Sequence, residues 1–325
     1  MRRRQLLLGA AATPALGLAA PAAAWTAAEP LPLATQEIYP AVHQGRLYVA
    51  GGIAARLGVP YFTDRCVQFD GSTWREAPAL PEPLHHVALA SVGGELYAVG
   101  GFNGGYTHVW RMRDQVYRLI GDRWEAVNAL PQPQAEGVAA TAPSGLLHYV
   151  TGQTPKGEAN RQRSDHVEVH EHWCMDPADG IWRERAPIPT ARNSATGGWL
   201  DGYLVVTGGR TGSGNLQVTE IYDAERDVWY EAAPLPKPQA GTASVVMNQG
   251  LIVFGGEIFQ PEPGVFGDVW QYSLREDRWT ALPPMPTPRH GLGAGVLNGR
   301  IHVVGGATEP GGNGTSDLNE VLIPA

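Results

Sequence analysis

Cysteine is nearly absent from this sequence, with two residues in 325, too few for a disulfide-stapled scaffold. Charge is also sparse at 17% of residues, and acids outnumber bases 32 to 24. That balance argues against a nucleic-acid partner. Past the N-terminal segment no apolar run is long enough to span a bilayer. Uninterrupted helical stretches are missing as well, because 41 glycines and 27 prolines are scattered along the whole chain. Such breakers exclude a coiled coil or a long-helix protein. What is present is aromatic: ten tryptophans and eleven tyrosines, the apolar mass that disordered chains lack.

The first 24 residues read as an export signal. Arg2-Arg3-Arg4 precedes Gln5-Leu6-Leu7-Leu8, a short Ala/Leu/Gly run follows, and Ala22-Ala23-Ala24 offers a cleavage site. Arg3-Arg4-Gln5-Leu6-Leu7 resembles the bacterial twin-arginine signal, with an ordinary Sec signal as the alternative. The expectation is a mature protein starting near Trp25, periplasmic or secreted, with no membrane attachment.

The rest of the chain repeats itself. GRLYVAGG, GELYAVGG, GLLHYVTGQ, GYLVVTGG, GLIVFGG and GRIHVVGG recur at steps of 49, 52, 56, 47 and 50 residues, registered on Gly52, Gly101, Gln153, Gly209, Gly256 and Gly306. A second ladder, Trp74, Trp124, Trp182, Trp229 and Trp279, runs in phase with it, and each tryptophan precedes a Pro-rich stop such as APALPEP. Within one unit, GTASVVM, GLIVFGG, VWQYSL and DRWTAL have the length and β-branched, aromatic character of four strands. Glycine pairs suit close backbone approach or positive φ, and the tryptophans are expected to fill the space between neighbouring sheets.

These marks (the diglycine, the Ile221-Tyr222-Asp223 strand and the spaced tryptophans) resemble the kelch repeat over essentially all of residues 25–325. The resemblance implies an all-β propeller of four-stranded antiparallel blades, forming one domain. The last unit has no tryptophan strand, and Trp25-Thr26-Ala27-Ala28-Glu29-Pro30-Leu31-Pro32 carries one in register. Six blades are therefore expected, the sixth closed by the N-terminal strand against Leu318–Ile323.

In such a repeat the starts of the first strands and the residues after the diglycine share one face. His85, His86, Glu136, Arg192, Asn193, Gln239, Arg289 and His290 occupy the first set, and Asn103, Gln153, Arg210 and Glu257 the second. An arginine-rich rim with amides and imidazoles suits a carboxylate or a polyhydroxylated ligand. For Arg192 and Arg289 a purely structural role is equally open, and Glu220 reads as structural. Asp165–His172 alternates imidazoles and carboxylates, so on one strand His166, Glu168, His170 and His172 would share a face. Four ligands spread along a strand are too far apart for one ion, so no metal is assigned, and no cofactor is called for. Cys66 and Cys174 fall in units that do not touch, and neither matches the copper centre of kelch-bladed galactose oxidase.

Export, blade number and rim chemistry also resemble the bacterial sialic acid mutarotases, or N-acetylneuraminate epimerases. That resemblance implies a sugar isomerase in which Glu257 and His290 move protons while the other rim residues hold the ligand. It is architectural, since the residues of that family are not aligned one by one. The competing expectation is a non-catalytic module that grips a protein partner with the same face.

Overall fold

The computed structural model describes residues 23–56, 59–105 and 108–324. The expected export segment, residues 1–24, lies outside them apart from Ala23 and Ala24. Among the described residues regular structure is almost wholly β, with one short 3-10 turn at Arg163–Asp165.

Six four-stranded antiparallel sheets carry the repeat. Sheet one holds Ala41–His43, Arg46–Ala50, Cys66–Phe69 and Trp74–Ala77. Sheet two holds Ala88–Val92, Glu95–Val99, Val116–Ile120 and Arg123–Val127. Sheet three is Val138–Thr141, Leu147–Val150, His172–Met175 and Trp182–Glu184. Sheet four is Thr196–Leu200, Tyr203–Thr207, Thr219–Asp223 and Val228–Ala232. Sheet five contains Ala243–Met247, Gly250–Phe254, Val269–Ser273 and Arg278–Leu282. Sheet six takes Gly293–Leu297, Arg300–Val304 and Asn319–Ile323 from the C-terminus and Ala24–Ala27 from the N-terminus. There Trp25 pairs with Leu322 and Ala27 with Glu320.

The first strand of each sheet packs against the first strand of the next, and Gly293–Leu297 packs against Ala41–His43. The tryptophan ladder ties the outer strands together in the same order. Each indole N–H donates to a carbonyl of the sheet before it: Trp74 to Glu29, Trp124 to Pro78, Trp182 to Asn128, Trp229 to Ala186, Trp279 to Ala233 and Trp25 to Pro283, at 2.7–3.2 Å. An indole is donor-only, so it needs a carbonyl that no ladder uses, and the proline-rich stops supply several.

The diglycines sit where one sheet's second strand meets the next sheet's entry. A Cβ on Gly51 would lie 2.2 Å from the Leu84 carbonyl oxygen, which no side chain could share. In sheet three the pair is Thr151-Gly152, one residue earlier than the sequence register suggested, and Gln153 follows it as Arg210 follows Gly208-Gly209. Thr151 takes the first glycine's left-handed conformation, φ 57°. Its hydroxyl is held by the carbonyls of Val169 and Arg192, at 3.0 and 2.7 Å.

The His166–His172 segment is not one strand. His166–Glu168 pairs with Gln153–Pro155, the ladder breaks, and His172–Met175 belongs to sheet three. His166 is buried near Asn160, Glu168 reaches Gln153, exposed His170 meets the Ile188 carbonyl, and His172 lies between sheets three and four. The shared face expected of them is absent because the chain turns between Glu168 and His172. Cys66 and Cys174 are both buried and free.

Candidate functional site

Each sheet is entered through the same three-residue step: Thr35-Gln36-Glu37, Leu84-His85-His86, Gln134-Ala135-Glu136, Arg192-Asn193-Ser194, Gln239-Ala240-Gly241 and Arg289-His290-Gly291. The third residue is left-handed in all six, with φ between 54° and 66°. Glycine fills that position twice. At the other four a side chain is kept there at a cost of about 1 kcal/mol or more, strain that collects at functional sites. Backbone bonds link the steps, from Glu37 N–H to Gly291, His86 to Glu37, Ser194 to Glu136, Gly241 to Ser194 and Gly291 to Gly241, at 2.7–3.1 Å.

The first residue of each step faces into its own sheet. Arg192 is fully buried, donates to the Thr190 and Val206 carbonyls at 2.7 and 3.2 Å, and is ion-paired with Glu220. Arg289 likewise binds the Gly305 carbonyl at 2.7 Å and Glu320 at 2.8 Å. Gln239 donates to the Gly255 carbonyl at 2.6 Å and accepts from the Trp270 indole at 3.0 Å. These three expected ligand contacts are thus spent inside the fold. Asn103 also points off the ring, donating to Glu82 at 2.7 Å.

His85 stands behind the ring, stacked between Phe62 and Phe102, and the remaining rim residues join a closed polar circuit. From Glu136 it runs to His86 at 3.3 Å, on to Glu37 at 3.0 Å, and to His290 at 3.6 Å. His290 lies 3.5 Å from Glu257, which binds Arg210 at 2.7 Å, and Arg210 reaches Asn193 at 3.4 Å. Ser194 closes the loop, its hydroxyl donating to Asn193 Oδ1 at 2.9 Å and lying 3.4 Å from Glu136. Asn193 and Gln153 both donate to Glu168, at 2.9 and 3.1 Å. Two cations carry an aromatic face: Arg163, bound to Glu136 at 3.1 Å, lies 4.7 Å from the Trp110 ring centre, and Arg210 lies 5.3 Å from that of Phe259.

Burial alone would raise the Glu37 carboxyl, yet His86, His290 and Arg210 hold it well below the usual range. Glu136 is lowered against the same penalty by Arg163, His86 and Arg210. Both are carboxylates at neutral pH. Burial, with Glu37 and Glu136 nearby, pushes the Tyr39 phenol far up, so it stays protonated.

One residue beyond the ring, the first strands line an axial cavity of about 90 Å³. Much of its wall is small (Gly137, Ala139, Gly197, Ala243, Gly293 and Ala294), with Ile38, Tyr39, Leu89 and Leu292 the larger side chains. Two buried polar atoms here lack a hydrogen-bond partner, His290 Nδ1 on the circuit and the Thr242 hydroxyl that lines the cavity. Unpaired polar atoms of this kind call for water or a ligand. A cluster of three or more metal-ligating side chains is not found among the described residues.

Sequence reasoning overlooked Glu37, Ser194, Glu168 and Arg163 as ring members. Glu37 was within reach, since it stands 49 residues before His86, one repeat step. Glu168 and Arg163 come from the long insert of sheet three, where no register points to them.

Comparison with known proteins agrees with the repeat. A family model described as the KLHDC2/KLHL20/DRC7 Kelch-repeats domain matches residues 184–306. Mouse Kelch-like protein 35 is 28% identical over 234 residues, 71% of this chain and 37% of that protein. Kelch-like protein terF of Aspergillus terreus is 28% identical over 281 residues, 69% of this chain and 61% of its own length. Limulus polyphemus beta-scruin is 33% identical over 226 residues, 66% of this chain and 24% of its own. The chain thus spans less than two thirds of each of these relatives. The solved structure of YjhT superposes with a TM-score of 0.77 at 15% identity, covering 92% of this chain and 97% of that one, and so shares the fold. With the repeated four-stranded sheets, the tryptophan ladder and these matches together, the chain carries kelch repeats and is similar to the kelch-repeat proteins.

Proposed function

We propose that residues 25–325 form one exported, six-bladed propeller that binds a small polar, carbohydrate-like ligand at the axial ring and interconverts its anomers. Six sheets in contact order, and the pairing of Ala24–Ala27 with Asn319–Ile323, support the blade count. Deleting residues 25–33 removes that strand, the Trp25 staple and the Glu29 carbonyl that receives Trp74. A large drop in Tm is expected, and an unchanged Tm would refute the closure.

The observation that carries the ligand reading is the closed circuit itself, with the partnerless His290 Nδ1 on it, next to a cavity. Mutarotation needs a base to take the anomeric hydroxyl proton while an acid protonates the ring oxygen, so that the C–O bond opens, the carbonyl turns and the ring recloses. The circuit offers both roles. His290 holds Nε2 on the Glu309 carbonyl at 2.9 Å, and its partnerless Nδ1 lies 3.5 Å from Glu257, so these two groups are the candidates for taking up a proton. His86 presents Nε2–H between two carboxylates. Arg210 and half-exposed Arg163 are the cations in reach of an acidic sugar's carboxylate.

A thermal-shift screen with sugars and sugar acids, followed by an NMR assay of anomer exchange, tests this reading. A shift lost in Arg210→Ala supports it, and no shift with any sugar sinks it. A second reading, a protein partner gripped at the same face, is favoured by exposed Val59, Tyr61 and Phe259 on the loops there. Partner capture after a negative sugar screen decides for it.

A further inference from the structure

We infer that the His85–His86 pair carries three ring protons and one positive charge, held on His86, and that His85 is the positioning residue that keeps His86 loaded as the acid of the ring. Its use as an acid rests on the sugar reading above, but the proton count does not.

The count follows from what lies at each end of the pair. His85 Nε2 is 2.8 Å from the Val109 carbonyl, which can only accept, so that nitrogen carries a proton. His86 Nε2 is 3.0 Å from Glu37 and 3.3 Å from Glu136, both ionised, so it carries a proton too. Between the rings Nδ1 faces Nδ1 at 2.7 Å, a distance that requires one more proton shared between them. Three protons on two imidazoles make one cation.

The surroundings place that charge. His85 is stacked between Phe62 and Phe102, with centroids 4.6 and 5.2 Å away, and meets no carboxylate. Burial, aided by repulsion from His86, pushes it down to about 3, so it stays neutral and accepts. His86 faces Glu37 and Glu136 directly, with Tyr39, Trp110 and Phe102 rings at 5.6–5.9 Å; Arg163 meets it only through Glu136, and Arg210 is paired with Glu257 instead. The imidazolium therefore belongs on His86. Its Nε2–H points at the axis, where an incoming hydroxyl or ring oxygen could replace one carboxylate as acceptor.

The test is long-range proton–nitrogen NMR on the ¹⁵N-labelled full chain at pH 7.5 without ligand, with His86 assigned by its loss in His86→Gln. His86 is expected to show two protonated ring nitrogens and His85 one. His85→Phe keeps a flat ring between Phe62 and Phe102 but removes the acceptor, and should lower the pH at which His86 gives up its extra proton by about one unit. His85→Gln restores an acceptor and should restore most of that shift. A neutral His86 in the wild-type chain overturns the inference, even if His85→Phe does not fold. An unshifted His86 in a folded His85→Phe overturns the role of His85. A failed sugar screen with the three-proton count intact sinks the ligand reading alone.

Discussion

Two buried histidine pairs in this molecule have nearly the same geometry and opposite character. At the axis His85 and His86 meet nitrogen to nitrogen at 2.7 Å, and between sheets three and four His148 and His172 do so at 2.8 Å. The second pair ends on the Ala186 carbonyl, 3.2 Å from His172 Nδ1, and on the Cys174 thiol, 3.6 Å from His148 Nε2. A carbonyl takes one proton and a thiol can give one, so two protons satisfy both rings and the pair is neutral. Burial, with mutual repulsion, pushes His148 down to about 3, and burial pushes His172 down to about 4. Trp199, Tyr222 and Trp229 enclose that pair, which serves as packing. The charge of a buried imidazole pair is thus set by its terminal partners, and only the axial pair ends on carboxylates.

The largest effect should come from emptying the charged end. His86→Leu leaves Glu37 and Glu136 facing one another without their shared cation, and breaking such a buried arrangement costs about 3–5 kcal/mol at pH 7.5. In the variant, burial acts on Glu37 with less opposition, so its folded pKa rises from its low wild-type value. Urea unfolding at pH 7.5 checks this, and a loss no larger than that of the neutral pair's His148→Leu would show that the axial pair carries no charge.

His148→Leu should cost less, about 1–3 kcal/mol at pH 7.5, because it removes a neutral donor and leaves His172 Nε2 and the thiol unpaired. This loss depends on pH. A histidine depressed from 6.5 to about 3 contributes stability above pH 6.5 that is lost as pH falls, since the unfolded chain binds the proton first. Removing it should narrow the gap between variant and wild type at pH 5. A gap that widens would contradict a neutral pair.

Much of this was legible in the chain before folding. The diglycine and tryptophan ladders fix sheet number and order, because each sheet can bury its faces only against the next. The ring was half legible: the register finds His86, Glu136 and His290, and would have found Glu37 had the first unit been included. Arg192, Arg289 and Gln239 share the ring's repeat phase but lie two residues before the left-handed position, and that offset turns them inward to carbonyls and glutamates. No periodicity locates Arg163 or Glu168, which an irregular insert delivers. Nor could it give the charge of His86, which depends on the Val109 carbonyl beyond another loop.

The smallest expected effect falls on the thiol end of the neutral pair. Burial raises the Cys174 thiol, so it keeps its proton and can donate to His148 Nε2. A thiol is a weak donor, and Cys174→Ser, which keeps an O–H for the same nitrogen, should change stability by less than about 1 kcal/mol. Cys174→Ala leaves that nitrogen without a donor in a site that water does not reach freely, and should cost more, about 1–2 kcal/mol. The order of the two variants in urea unfolding carries the argument. If alanine were tolerated better than serine, His148 Nε2 would not be accepting, the proton would sit on that nitrogen, and the two-proton count of the neutral pair would need the opposite tautomer throughout.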